Sequence, residues 1–236
     1  MLNLKKTMAI AIIATFLSAI PLTLSVGYSE LVWVTYTIEV DEYFAKPGGT
    51  PGGGGKPPTG YSLTGCKWKT LPLTLVMNPT GSGLSEAQVY EAIYLGSEEW
   101  DAWTGKEIVS SYQISSTAAL DGPTVDKVNE IVFGPIADTN IIAQCTYWYY
   151  RTTRELVDFE IVFNTHYTWG NAAETPGVMD VQNIATHEIG HGFGLADLYK
   201  DDFSEQTMYG YGSAGETKKR TLELGDIAGI QKLYGA

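Results

Sequence analysis

The stretch "ATHEIGHGFGLADLYKDDFSEQTMYGY", residues 185–211, gathers the residue types that metal chemistry needs. It holds His187 and His191, two of the chain's three histidines, with Glu188 beside the first. On a helix, residues four apart share a face, so both imidazoles can offer a ring nitrogen to one ion. Glu188, about 100° round the helix from His187, can reach water on that ion without taking its coordination position. A catalytic zinc takes three protein ligands and keeps one position open. If the helix ran on past His191, Asp197 would lie about 9 Å further along the axis and about 240° round it, out of reach. Gly192 and Gly194 change this, because glycine ends helices and accepts positive φ. The chain can then swing back and bring the Asp197 carboxylate to the ion. Asp201 and Asp202 are competitors whose direction nothing fixes, and His166, in "FNTHYTWG", is too isolated to nominate.

The elements that must hold these residues can be read in outline. Asp180 is a good N-cap for a helix running to about Leu195. "LSEAQVYEAIYLGSEEWDAWTG" (84–105) predicts a helix with a Ser85–Gln88 capping box, a buried stripe of Val89, Ile93, Trp100 and Trp103, and Gly105 as its stop. "LPLTLVMNP" (71–79) and "NEIVFGPI" read as strands, and "IIAQCTYWYYR" and "LVDFEIVFNT", separated by "TTRE", as a hairpin. A final helix covers Leu224 to Tyr234, with Ile227, Ile230 and Leu233 inward and Gly235 after it. The order of helix, strands and two helices indicates an α+β fold.

Composition bounds the rest. The 236 residues suffice for one domain with flanking segments, and 44% hydrophobic against 18% charged residues fits a globular chain. A net charge of −12 without a basic run argues against nucleic acid or anionic lipid as partner. Residues 1–26 combine Lys5 and Lys6 with an apolar run from Met8, the pattern of a secretory signal peptide or an uncleaved N-terminal anchor. Either places the chain outside the cytoplasm, extracellular or at the cell surface, with membrane contact only if the anchor is kept. There Cys66 and Cys145 are candidates for a disulfide; the alternative is Cys66 as a latency thiolate on the metal. Residues 27–60 form an N-terminal segment whose first part alternates like a strand, followed by the Gly/Pro-rich "KPGGTPGGGGKPPTG" (46–60), which reads as a linker. The folded unit is placed at 61–236, the N-terminal piece being a pro-segment remnant, a surface tether or an edge strand.

"HEIGHGFGLAD" followed by "TMYGYG" resembles the metzincins, zinc peptidases with HExxHxxGxx, a third ligand and a downstream methionine turn. More narrowly, "KWKTLPLTLVMNP", "LSEAQVYEAI…EEWDAWTG", "VDFEIVFN" and "LELGDIAGIQKLYG" resemble the matrixin catalytic domain, in that family's order and over most of 66–236. The resemblance implies a twisted mixed sheet with an active-site helix and a C-terminal helix. It also implies one catalytic zinc on His187, His191 and Asp197, with Glu188 as acid/base and Met208 as an apolar floor. Two departures stand out: an aspartate as third ligand, as in snapalysin-type metzincins, and Gly210 where matrixins have proline. Tyr209 and Tyr211 can orient substrate or bond the oxyanion, or do neither as turn aromatics. No second zinc is expected, since only His166 remains, and calcium ligands are not readable. The expected activity is endopeptidase cleavage of protein or peptide substrates, with "VDFEIVFN" as the edge strand that pairs with an extended peptide. Two other classes stay open: a catalytically silent zinc-containing surface or adhesion module, against which Glu188 argues, and a zinc hydrolase of non-peptide amides or esters.

Overall fold

A computed structural model describes residues 30–41, 60–122 and 125–236. The apolar N-terminal stretch and all but the end of the Gly/Pro-rich segment lie outside these residues. In chain order the elements are β1 (Leu31–Val40), β2 (Ser62–Leu63), β3 (Leu73–Asn78), α1 (Glu86–Asp101), β4 (Val109–Ile114) and β5 (Asn129–Gly134). There follow β6 (Ile141–Tyr150), β7 (Glu155–Asn164), β8 (Trp169–Gly170), β9 (Met179–Asp180), α2 (Val181–Gly192), β10 (Leu195–Ala196), β11 (Tyr211–Gly212) and α3 (Leu224–Tyr234). Among the described residues no helix is long and apolar enough to cross a membrane.

Seven strands form one mixed sheet in the order β11-β1-β6-β7-β5-β3-β4. β4, β3, β5 and β7 run parallel, β6 runs against β7, and β1 runs against β6. The leucines and methionine of β3 show why its sequence forms a strand: Leu73, Leu75 and Met77 alternate into the core. The fold is α+β with a mixed sheet and a C-terminal helix, as expected.

Three points beyond the sequence reading concern neighbours rather than elements. "VDFEIVFN" is not an edge strand. It lies in β7, paired with β6 on one side and β5 on the other, and seven of its eight residues are buried as a central strand requires. β1, which comes from the segment before the linker, lies in the sheet between β11 and β6. Trp103 is 42% exposed rather than part of a buried stripe. The physical reason is that α1 stops at Asp101, whose carboxylate accepts the amides of Ile108 (3.0 Å) and Val109 (3.2 Å) and so turns the chain into β4.

The hairpin, the Ser85–Gln88 capping box and α3 form as read. So does the N-cap of α2, where Asp180 accepts the Asn183 amide at 2.8 Å. This carboxylate is also gripped by Arg220, which ties the start of α2 to the segment before α3.

Candidate metal centre

α2 is buried along almost its whole length, between the sheet and α1. Trp100 of α1 donates its indole N–H to the Thr186 carbonyl at 2.8 Å, and Gly190 leaves room for Trp100 and for the Met208 sulfur. A Cβ on Gly190 would come within 2.5 Å of that sulfur. Met208 therefore packs against the turn of helix that separates His187 from His191.

The helix ends at Gly192, and Gly194 follows at φ +107°, a conformation L side chains rarely adopt. The chain then pairs through β10 with β2 and delivers Asp197 back toward the histidines. Leu198 holds this return: its N–H donates to the Met208 carbonyl (2.8 Å), and its carbonyl accepts the Gly210 N–H (3.0 Å). Gly210, where matrixins carry proline, lies under this crossing, since a Cβ there would meet the Tyr199 ring at 2.6 Å.

Three atoms converge as a result. His187 Nε2 and His191 Nε2 are 3.2 Å apart, and each is 3.3 Å from Asp197 Oδ1. Ligands about 2.0–2.1 Å from a tetrahedral zinc stand about 3.3–3.4 Å from one another, so the triangle has the size of one face of that tetrahedron. The tautomers agree. His187 Nδ1 lies 2.7 Å from the Thr207 carbonyl and His191 Nδ1 lies 3.0 Å from the Leu195 carbonyl. A carbonyl only accepts, so in the neutral rings both hydrogens sit on Nδ1 and both Nε2 lone pairs face inward. Asp197 Oδ1 is buried without a hydrogen bond. Three lone pairs aimed at one buried point repel one another unless a cation sits between them, and the donor set fits zinc.

Electrostatics follow from burial and closeness. Burial lowers the His187 pKa; at His191 burial also lowers it, but Asp197, Glu188 and the Leu195 carbonyl together outweigh burial and raise it. Burial alone would raise the Asp197 pKa, but the two imidazoles beside it, His191 foremost, hold it well below the ordinary value. Glu188 is fully buried, with neither carboxylate oxygen in a full hydrogen bond, and burial pushes its pKa up to about 8 against the lowering effect of His191.

Other residues nominated from sequence fall nearby or elsewhere. Tyr211 stands edge-on to Tyr199, and its backbone belongs to β11. The Tyr209 ring lies beneath Lys219 Nζ at 5.9 Å. His166 is exposed against Tyr167. Cys66 and Cys145 are not joined: both are free, buried thiols. Cys66 is fixed beside Gly194, where its carbonyl packs, and Cys145 in mid-β6. Burial raises both thiol pKa values, which keeps them neutral, and Cys66 is not within the cluster formed by His187, His191 and Asp197.

Three contributors were not read from the sequence. The Tyr199 hydroxyl donates to Asp197 Oδ2 at 2.8 Å, fixing the carboxylate from its far side. Its signal was only its place two residues after Asp197. Asp226 accepts the amides of Thr207 (2.8 Å) and Met208 (3.1 Å), so α3 anchors the turn beneath the site. Tyr36 of β1 stacks on His191 with ring centroids 4.3 Å apart, and nothing local pointed to it.

A family model described as Matrixin, the M10 peptidases, matches residues 149–235, from the end of β6 to the end of α3. Over residues 149–235 the chain resembles the matrixin metallopeptidases. The matched segment of this matrixin-like chain contains His187, Glu188, His191, Asp197 and Met208, whereas β1, β3 and α1 lie before it. The match supports zinc chemistry on protein or peptide substrates in general terms. A comparison with curated proteins finds no match.

Proposed function

We propose that the chain is a zinc-dependent endopeptidase with His187, His191 and Asp197 as the protein ligands and Glu188 as general base. One observation carries this reading: three donor atoms 3.2–3.3 Å apart, with their lone pairs converging and the Glu188 carboxyl beside them. Bound there, zinc supplies Lewis acidity to a peptide carbonyl and to water. The rest belongs to the chain. Thr207 and Leu195 hold the imidazoles in the tautomer that ligates, and Tyr199 holds the carboxylate. Glu188 takes a proton from the attacking water and returns it to the leaving amine. Met208 fills the space under the histidines with an adaptable apolar side chain and keeps water from it. The apolar, lysine-led N-terminus supports an extracellular or cell-surface location.

The test is cleavage of unfolded casein with and without chelator, beside Glu188→Ala. The variant is expected to hold zinc by metal analysis while cleaving about 100-fold more slowly or worse. Zinc-loaded Glu188→Ala that cleaves at the native rate would remove the base role.

A further inference from the structure

β1 lies across the metal centre. It runs antiparallel to β6, from Leu31 opposite Tyr150 to Glu39 opposite Ile141, along the edge of β6 that β7 does not use. On its other side it is parallel to β11. The Glu39 N–H donates to the Gly210 carbonyl (3.2 Å), Val40 to Asn140 (2.9 Å) and Asp41 to Gly212 (2.9 Å). The strand is thus held on both edges between β6 and the segment that follows Met208, as an extended peptide is held in strand addition.

Its side chains meet the site in alternation. Tyr36 covers His191, and two residues on, Ile38 is fully buried. A Cβ on Gly212 would touch the Cδ1 atoms of Ile38 (3.2 Å), Ile142 (3.4 Å) and Ile184 (3.6 Å), so Ile38 fills an apolar pocket one helical turn from His187. Ile38 is the single buried residue among the ten of β1. Val32, Val34, Tyr36 and Val40 pack against the core while only partly buried, so the strand lies on the core with Ile38 as its one fully enclosed side chain. The backbone N–H of Ile38 faces the Glu188 carboxyl without completing a full hydrogen bond to it.

We infer that β1 is docked as an internal substrate, and that the chain cuts its own Thr37–Ile38 bond. The choice of bond follows from the proton: the leaving amine must lie where the general acid can reach it, and the Ile38 nitrogen is the amide that faces Glu188. Water adds its oxygen to the Thr37 carbonyl carbon, the C–N bond to Ile38 breaks, and the products are a Thr37 carboxylate and an Ile38 ammonium. The cut separates residues 1–37, including the apolar N-terminus, from the rest of the chain. It leaves the edge of β6 open for other peptides. The substrate class is an extended peptide with a bulky aliphatic residue just after the cut and an aromatic residue two before it. This inference rests on the peptidase reading.

The full chain is prepared metal-free, given Zn2+ and followed by intact-mass spectrometry, with casein as an added substrate. The expected result is an N-terminal piece ending at Thr37 and a chain beginning at Ile38, neither formed by Glu188→Gln. Ile38→Asp places a charge in the apolar pocket and is expected to slow the self-cut about 100-fold while casein is still cut. Hydrogen exchange on uncut Glu188→Gln reads the docking itself: the amides of Glu39 and Val40 are expected to be protected, and to lose protection when Ile38→Asp is added. Casein cleavage by a chain that stays intact, or a cut at another bond of β1, overturns the inference and leaves the peptidase reading standing. Unprotected amides overturn it as well. If neither casein nor the chain is cut, the peptidase reading itself falls, and the inference with it.

Discussion

Asp197 stands between two kinds of partner: Oδ1 faces both Nε2 atoms, and Oδ2 accepts the Tyr199 hydroxyl. Removing the carboxylate leaves a two-histidine site, so Asp197→Ala is expected to fall from about one zinc per chain to well below one after dialysis against a weak chelator. Tyr199→Phe removes only the support. It is expected to keep full loading at high zinc but to weaken affinity about 10- to 100-fold, read by competition with a fluorescent chelator. Equal affinities in Tyr199→Phe and the native chain would show that the hydroxyl does not hold the ligand. The aspartate was legible because two glycines precede it. The tyrosine was not, because its role depends on how the segment crosses Gly210.

At the scale of elements, the end of α2 is the decisive junction. Gly194 takes φ +107°, and a Cβ there would come within 2.4 Å of the Cys66 carbonyl, which is backbone and cannot give way cheaply. Gly194→Ala is therefore expected to lower stability by about 1–3 kcal/mol in denaturant melts and to weaken zinc binding while α2 itself still forms. Native affinity in a folded Gly194→Ala would show that the return of Asp197 does not depend on this turn. Local signals announced this junction, the cap of α1, the cap of α2 and the β6–β7 hairpin, since each rests on neighbours close in sequence. The place of β7 in the sheet could not be announced in this way. Strand pairing joins residues far apart, and a run such as "VDFEIVFN" satisfies an edge and a centre equally until its neighbours are known.

Across the whole molecule, the −12 charge is concentrated in one place as well as spread. Glu130 of β5 pairs in register with Glu160 of β7, near Asp158, Asp126 and Asp121. Burial first, then the neighbouring carboxylates, pushes Glu130 up to about 8. Burial is also the main cause that raises Asp158 and Glu160 to about 7, against lowering bonds from the Lys127 and Asp121 amides. In an unfolded chain such groups titrate near about 4. The folded form therefore holds extra protons between these values. The stability they contribute is present below about pH 4 and is lost as pH rises through about 7 to 8. In chelator, the thermal midpoint is expected to fall from pH 5.5 to pH 8.5, with a shallower fall in Glu130→Gln. A midpoint that rises over this range would contradict the assignment.

The sequence by itself determined the make-up of the proposed site: two histidines on one helical face, a glutamate beside them, and a glycine break that lets an aspartate return. Those features depend on covalent spacing and on backbone preferences that act over a few residues. Tertiary structure alone decided what surrounds that chemistry. It set Tyr199 behind the carboxylate, left Cys66 and Cys145 as separate buried thiols, and laid β1 along β6 over the histidines. Each of these joins residues through the packing of a sheet and a helix, and no local pattern encodes which distant strand will be the neighbour.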